Sequence, residues 1–229
     1  MSGSTSNTEP DVNFCFPVRE LENDRAKLTP FILYEYLPFG PFASAADYTK
    51  ELIEGRIAPN PGIVLFAIID KTRSPSPSAV PSSVDFAGTI GFLNASPLHL
   101  STEIGFIIVL PPFQRTHVAT NAFGLLLHYA LDLPSASPPG LGLRRVQWQA
   151  NAENSTSIKV AEKMGLKKEA VLRWDRVLPE GKGKVGNGKR VRGGDPRSGA
   201  PGRDTVMLAT YWDDWEGGGK EKVEQLMDR

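Results

Sequence analysis

The spacing of apolar positions divides the chain into segments with the period of a helix and segments with the period of a strand. Ala122, Leu125, Leu126, Tyr129 and Ala130 fall on one stripe and predict an amphipathic helix. Short apolar or alternating runs predict strands, because they are shorter than a typical helix. The predicted strands are 16–21, 63–69, 85–93, 102–110, 143–149, 166–176 and 205–211. The predicted helices are 45–57, 119–131, 154–164 and 221–227, with a helix or bent segment over 29–37 and a loop over 75–83.

This order of elements predicts one α+β domain with a mixed sheet and helices on both faces. A chain of 229 residues with 40% apolar residues can build a single sizeable core. Residues 1–12 are rich in Ser, Thr, Asn and acidic residues, which predicts a disordered lead-in, so we assign the domain to 13–229. The glycines and basic residues of 179–203 predict a mobile insertion that supplies nothing to the core.

Charge and cysteine content exclude several classes of function. Lys plus Arg and Asp plus Glu both total 26, so no net charge attracts the chain to nucleic acid or a membrane surface. The single cysteine, Cys15, excludes an internal disulfide and a multi-cysteine zinc site, so we expect no metal. The polar N-terminus lacks a secretory signal, and no run of about 18 apolar residues occurs. We expect a cytoplasmic protein with a small-molecule or local peptide partner.

A strand, a polar loop and a helix start follow one another between Glu103 and Thr120. The first N–H groups of a helix lack carbonyl partners and the helix dipole is positive there, so this loop can cradle a phosphate or pyrophosphate. Strand–loop–helix patterns are abundant, so an ordinary turn also explains the local residues.

A second segment, Asn154-Ser-Thr-Ser157, opens a short predicted helix downstream. Together the two segments resemble the GNAT superfamily of N-acetyltransferases, and more narrowly its branch of ribosomal-protein-alanine acetyltransferases. The resemblance runs over 16–176 and includes the turn 37–44 and the glycines Gly88 and Gly91. It implies a central mixed, mostly antiparallel sheet that splays in the middle, and acetyl-CoA as co-substrate.

The resemblance also assigns the residues that would hold acetyl-CoA. Family members have Gln or Arg, two residues, Gly, one residue and Gly or Ala in the loop; Gln114 and Ala119 match, but His117 replaces the middle glycine. A histidine there must turn its side chain away or change the loop, so it is either tolerated near the phosphates or impairs binding. Asn154 would bond the pantetheine arm, although Asn154 or Ser155 can also be only a helix N-cap. The assigned residues are Ile107, Ile108, Val109, Gln114, Arg115, Thr116, His117, Val118, Ala119, Thr120, Asn154 and Ser157.

Acyl transfer to an amine needs a base or a water chain to take a proton and a donor to stabilise the oxyanion. The resemblance assigns the base to Glu103, with a surface or ion-paired carboxylate as the alternative. It assigns the oxyanion donor to a main-chain N–H near Ile108 or Val109, and protonation of the leaving thiolate to Ser157. Many relatives have a tyrosine four positions after that serine, where this chain has Ala161.

Phe39 and Phe42 lie in a turn on the acceptor side in relatives, so with Glu103 they are candidate substrate-binding residues. We expect a small amine or amino-acid-like acceptor, because a neutral chain offers no docking face for a macromolecule, with a protein N-terminus as the alternative. A non-catalytic acyl-CoA-binding module with a degenerate site is a second alternative, favoured by His117 and Ala161. A nucleotide-binding protein is a weaker one, because the chain lacks a Gly-rich loop ending in Lys-Ser/Thr.

Three other features receive structural interpretations. His128 lies inside a predicted helix and is expected to be packed or partly exposed. Cys15 is expected in the core. The basic stretch 182–203 is either a solvated loop or a guard of the acceptor cleft that could also contact the 3′-phosphate of the cofactor.

Overall fold

The fold was obtained as a computed structural model that describes residues 15–17, 19–30, 49–73, 85–178, 180 and 186–229. Its strands are β1 (Leu21–Glu22), β2 (Ala26–Pro30), β3 (Val64–Asp70), β4 (Phe86–Ser96), β5 (Ser101–Val109), β6 (Arg145–Asn151), β7 (Lys167–Val177) and β8 (Gly202–Tyr211). They form one sheet in the order β1-β2-β3-β4-β5-β6-β8-β7. Every neighbouring pair is antiparallel except β5 with β6, so the predicted mixed, mostly antiparallel sheet is confirmed.

The longer helices of the described residues are α1 (Thr49–Ile57, with π-helical hydrogen bonding), α2 (His117–Leu131), α3 (Ser155–Lys163) and α4 (Lys220–Met227). One turn of 3-10 helix precedes α2, and short helical turns over 212–219 lead into α4. Within the described residues, no helix has both the length and the hydropathy needed to cross a membrane.

The sheet separates two clusters of buried apolar side chains, because alternate residues of a strand face opposite sides. Phe66 and Ile68 of β3 pack in the larger cluster together with the apolar side chains of α2. Leu65 and Ala67, which alternate with them, pack in the smaller cluster against Ile53 of α1. Helices therefore cover both faces, as the order of elements predicts.

The N-terminal region differs from its prediction. Most of the predicted strand 16–21 is not a strand, since β1 is two residues long, and β2 occupies the start of the segment predicted as a helix or bend. The Asn23 side chain accepts a hydrogen bond from the Ala26 N–H at 2.8 Å, which closes a tight turn between β1 and β2. Ala26 and Leu28 are fully buried and β2 pairs with β3, so long-range pairing overrides the local pattern. Residues 31–37 lie outside the described residues.

The later predicted strands and helices are confirmed, with described ends that shift by at most three residues. The predicted lead-in 1–12, the first residues of the helix predicted over 45–57 and the loop 75–83 lie outside the described residues.

The basic segment before β8 has no regular structure over 186–201 but is attached to the sheet. The Asn187 N–H donates to the Gly202 carbonyl at 2.7 Å, and Lys189 forms an ion pair with Asp204. Ala200 is buried, so the prediction that this segment supplies nothing to the interior is wrong. Its mobility stays a prediction.

Candidate functional site

Two neighbouring strands diverge at Glu103. β5 and β6 pair in parallel only over the first three residues of each strand, although β5 is nine residues long and β6 seven. Beyond Glu103 each strand keeps its partner on the outer side, β4 or β8, and its inner edge pairs with no strand of the described residues. The sheet therefore opens into a wedge whose two walls present main-chain N–H and C=O groups.

A β-bulge bends β5 along the wall of the wedge. The register against β4 shifts here, so Phe106 and Ile107 lie opposite the single residue Ile90. Phe106 has a φ of 51°, and its carbonyl oxygen accepts a hydrogen bond from the Thr89 hydroxyl at 3.1 Å. Gly88 permits this close packing, because a Cβ there would lie 1.9 Å from a main-chain oxygen of β5. A bulge re-aims the main chain, and this one contributes to the divergence from β6.

The orientation of the main chain after the bulge distinguishes the two predicted oxyanion donors, the N–H groups of Ile108 and Val109. The Leu110 N–H donates to the Ala87 carbonyl at 2.8 Å and therefore faces β4. Because main-chain groups alternate in direction along a strand, Ile108 also faces β4, whereas Val109 faces the wedge. The Val109 carbonyl accepts a hydrogen bond from the Gln114 side chain at 2.9 Å, which agrees with this orientation. Of the two predicted donors, Val109 is the one directed at the wedge.

Glu103 lies at the vertex of the wedge and is 5% exposed. Its Oε2 accepts hydrogen bonds from the Asn94 side chain at 2.8 Å and the Gln149 side chain at 2.9 Å. Burial raises the pKa of Glu103 above its ordinary value of 4.5, and hydrogen bonds from neighbouring amides and the charges of two arginines offset this only in part. The alternative of a surface carboxylate is wrong, and no cation of the described residues lies within ion-pair distance. A buried carboxylate with a raised pKa is suited to accept a proton.

The loop between β5 and α2 ends in a capped helix start. Thr116 is the N-cap: its side-chain oxygen accepts from the Val118 N–H at 3.3 Å, and its hydroxyl donates to the Phe113 carbonyl at 2.6 Å. Within the described ranges, no acceptor pairs with the N–H groups of Thr116 and His117. These donors and the positive end of the helix dipole can bind an anion, as the sequence predicts.

His117 is accommodated without an unusual backbone conformation. The positive φ of the loop, 62°, falls at Arg115 and not at His117. The His117 Nε2 lies 3.2 Å from Oδ1 of Asp70, a buried carboxylate at the end of β3 that also accepts from the Thr72 N–H and hydroxyl. The imidazole therefore packs against β3. Of the two predicted outcomes, tolerance of the histidine near the phosphates and impaired binding, this contact favours tolerance. Contact between His117 and a cofactor stays a prediction.

The start of α3 places Asn154 and Ser157 near the other wall of the wedge. Asn154 is the N-cap and accepts from the Ser157 N–H at 3.0 Å, so the alternative cap, Ser155, is wrong. The Asn154 Nδ2 makes no hydrogen bond with any described residue and can donate to a ligand. Ser157 Oγ accepts from the Trp148 Nε1–H at 3.0 Å, which leaves its own O–H free to donate.

Trp148 and Asp70 are site residues that sequence reasoning missed. Trp148 lies on β6, is 3% exposed and packs edge to face on Phe123, with ring centroids 4.9 Å apart. The alternation of Val146, Trp148 and Ala150 with polar residues is a signal that places all three on the buried face of the strand. The contact between Asp70 and α2 has no local signal, because 47 positions separate Asp70 from its histidine partner.

The remaining candidates lie elsewhere or outside the described residues. Ala161 is fully buried in the core. Phe39 and Phe42 lie outside the described residues. His128 Nδ1 lies 2.8 Å from Oδ2 of Asp132, a carboxylate at the end of α2, which is a structural contact. Cys15 is only half-buried, so its assignment to the core is wrong; its thiol donates to a main-chain carbonyl at 3.6 Å.

Comparisons with known proteins agree with this geometry. A model of the acetyltransferase (GNAT) domain matches residues 19–167. A GCN5-related N-acetyltransferase from Brucella melitensis is 21% identical with a TM-score of 0.64, over 91% of this chain and 85% of its own. A protein from T. thermophilus described as an acetyltransferase is 22% identical with a TM-score of 0.64, over 93% of this chain and 98% of its own. A spermidine/spermine N-acetyltransferase from Vibrio cholerae is 14% identical with a TM-score of 0.50, over 84% of this chain and 96% of its own. No curated protein matches the chain at a significant level.

Proposed function

This chain belongs to the acetyltransferase (GNAT) domain family, and on that premise we propose that it transfers an acetyl group from acetyl-CoA to a primary amine. The observation that carries the proposal is the wedge between β5 and β6, with a buried carboxylate at its vertex and a capped helix start on each side. The proposed reaction is direct attack of the amine on the thioester, without a covalent enzyme intermediate.

The residues that line the wedge can be assigned to the steps of this reaction. Glu103 takes a proton from the acceptor ammonium, directly or through water, and so provides the neutral amine. The Val109 N–H, which faces the wedge, donates to the oxygen that becomes negative when the nitrogen attacks the carbonyl carbon. Ser157 donates its proton to the leaving sulfur and regains one, directly or through water, from the attacking nitrogen, which loses that proton as it becomes the amide. The Trp148 N–H stabilises the negative charge that develops on the serine oxygen in between.

The acetyl-CoA site is proposed to combine the N–H groups at the start of α2 with the start of α3. The loop from Gln114 to Thr120 would bind the pyrophosphate, since helix N-termini bind anions. Asn154 would donate its free Nδ2 to the pantetheine arm while its oxygen remains the cap of α3. The β5 edge at Ile107, Ile108 and Val109 would lie along the same arm.

The acceptor is proposed to be a small amine or an amino-acid-like metabolite. A protein N-terminus is the alternative, and it is the acceptor implied by the resemblance to ribosomal-protein-alanine acetyltransferases. A non-catalytic acyl-CoA-binding module is the rival from another class. The buried Glu103 and the hydrogen bond between Ser157 and Trp148 favour an enzyme over that module, because simple binding requires neither.

Calorimetric titration of the full chain with acetyl-CoA, desulfo-CoA and ATP tests the cofactor. We expect saturable binding of acetyl-CoA and desulfo-CoA at one site, and no binding of ATP. Absence of acetyl-CoA binding would contradict the proposal. Binding without turnover of any amine would favour the non-catalytic module.

Two variants of Asn154 separate its proposed contact from its capping role. Asn154→Ala removes both the cap and the amide, whereas Asn154→Ser keeps a good cap and removes only the amide. We expect both variants to bind acetyl-CoA more weakly, by roughly tenfold for the loss of one hydrogen bond. If Asn154→Ser binds as the wild type does, Asn154 serves the helix and not the ligand.

A further inference from the structure

A polar surface extends from Glu103 across β6 to β7. Glu103 and Gln149 lie on the same face of the sheet, because Glu103 pairs with Gln147 and alternate residues of β6 share a side. Gln149 donates to Glu103 Oε2 at 2.9 Å and accepts from an Arg176 guanidinium N–H at 3.0 Å. A chain of hydrogen bonds therefore joins the proposed base to an arginine.

A second arginine, Arg203 of β8, lies directly opposite Arg176 in the pairing of β7 with β8. Its Nε–H is buried and has no hydrogen-bond partner in the part of the chain that the structure describes. An unpaired buried donor destabilises the folded protein, and more so when the donor is charged. Native proteins keep such donors mainly where a ligand or an ordered water accepts the hydrogen bond.

None of the charged groups around Arg203 accepts a hydrogen bond from its buried Nε–H. Its pKa is lowered, first by burial and then by the charge of Arg176, whereas the charges of Asp175 and Glu103 act in the opposite direction. Asp175 Oδ2 already accepts from the Thr205 hydroxyl at 2.7 Å and from Arg176 Nε at 3.2 Å. Glu103 Oε2 likewise accepts from Asn94 and Gln149, and no hydrogen bond of the described residues joins the Arg203 Nε–H to either carboxylate.

We propose that Arg203, assisted by Arg176, binds the carboxylate of the acyl acceptor, so that the acceptor is an amine of the amino-acid type. This inference rests on the proposed function, because it assigns the group that binds beside the amine in the same site. The planar guanidinium presents paired N–H groups that match a carboxylate. Glu103 and Arg203 then offer one negative and one positive group to the two ends of a zwitterion.

The same arrangement disfavours a polyamine acceptor. A second ammonium group would lie beside two guanidinium groups, and like charges at close range in a partly buried site are repelled. The likeness to a spermidine/spermine acetyltransferase is therefore expected to stop at the fold.

The test compares amino acids with their own carboxamides, which keep the amine and lose the negative charge. Initial rates with acetyl-CoA are measured for a panel of α-amino acids, the matching carboxamides and spermidine. Each kcat/KM is expressed per concentration of neutral amine, since amidation lowers the amine pKa. We expect the wild type to prefer one or more acids over the matching amide by about 10-fold to 100-fold, the value of one charged hydrogen bond.

Variants of Arg203 test whether this residue is the source of the preference for the acid over its carboxamide. Arg203→Gln is expected to lose that preference, because its KM rises more for the acid than for the carboxamide, while its acetyl-CoA affinity is retained. Arg203→Lys keeps the charge without the planar fork and is expected to keep part of the preference. Arg192→Gln is the matched control, because it removes the same charge from an exposed residue of the segment that precedes β8.

The outcomes separate this inference from the proposed function. Equal rates with acid and amide, an equal loss on both in Arg203→Gln, or a preference for spermidine would overturn the carboxylate site and leave acetyl transfer in place. Failure to bind acetyl-CoA would overturn the proposed function itself. If Arg203→Gln is unfolded by its thermal melting curve, the acid-to-amide ratio of the wild type and of Arg203→Lys still decides.

Discussion

His117 shows how a side chain can replace a glycine when a partner is available nearby. The family pattern has glycine at this position, where close approach to a ligand is needed. The structure removes the conflict by holding the imidazole against buried Asp70, 3.2 Å away. The left-handed conformation is instead adopted by Arg115. Position 117 is therefore part of the packing between α2 and β3.

His117→Gly is expected to separate stability from cofactor affinity. The free energy of unfolding should fall by about 1–2 kcal/mol, because a hydrogen bond is lost and glycine lowers helix propensity. Acetyl-CoA affinity should be retained, since the imidazole is directed at Asp70. Chemical denaturation and calorimetric titration measure the two quantities. An affinity loss of more than about tenfold would instead place the imidazole at the phosphates.

Glu103→Gln is expected to lower kcat by about 10²-fold to 10⁴-fold, the usual contribution of a general base. In the wild type, kcat/KM should rise with pH through the raised pKa of Glu103, because only the ionised carboxylate accepts a proton. The variant should lack this rise, whereas acetyl-CoA affinity should not change. Rates measured from pH 4 to 9 test the assignment, and a wild-type profile in the variant would contradict it.

At the scale of elements, one carboxylate adds polar contacts to the apolar packing between α2 and the C-terminal helical region. Asp132, the C-cap of α2, accepts hydrogen bonds from Trp215 at 2.9 Å and Lys220 at 3.0 Å, and it lies 2.8 Å from His128. Burial alone would raise the pKa of Asp132, but these partners outweigh it and lower the pKa from 3.8 to about 2. The ionised form is therefore the one that joins the two elements.

Asp132→Asn is expected to reduce the free energy of unfolding at neutral pH by about 1–3 kcal/mol. A depressed pKa contributes stability above the unfolded value near 4 and loses it as pH falls towards 2. The difference between wild type and variant should therefore shrink over that interval. Urea unfolding at a series of pH values measures it, with Asp228→Asn as an exposed aspartate control. A difference that does not change with pH would argue against the ionised contact.

The elements with strong periodicity could be predicted from sequence, and those set by pairing could not. β3 to β8, α2 and α3 have regular apolar patterns or clear caps, so their existence follows from local residues. The β1–β2 turn depends on the Asn23 side-chain oxygen, which accepts hydrogen bonds from the N–H groups of Arg25 and Ala26, and the bulge at Phe106 depends on the register with β4. Neither has a period that a sequence can reveal.

At the scale of the whole molecule, the residues of the candidate site also divide into those that could be predicted from sequence and those that could not. The Gln114 to Thr120 loop and the Asn154 to Ser157 helix start are continuous motifs, so resemblance could identify them. The polar surface is not continuous, because Glu103, Gln149, Arg176 and Arg203 meet only after three strand pairings. Only the folded structure shows that these four residues lie close together.

The divergence of β5 from β6 also bears on how the protein reaches its final stability. Open sheet edges normally recruit other strands, but these two edges lie inside the sheet and no straight strand can pair with both of them. Water must satisfy their main-chain groups when nothing is bound, so the amides of the proposed pantetheine ligand would take over positions that a strand would otherwise hold. Such a ligand would complete the sheet as well as react in it, and its free concentration would then add to the stability of the folded state.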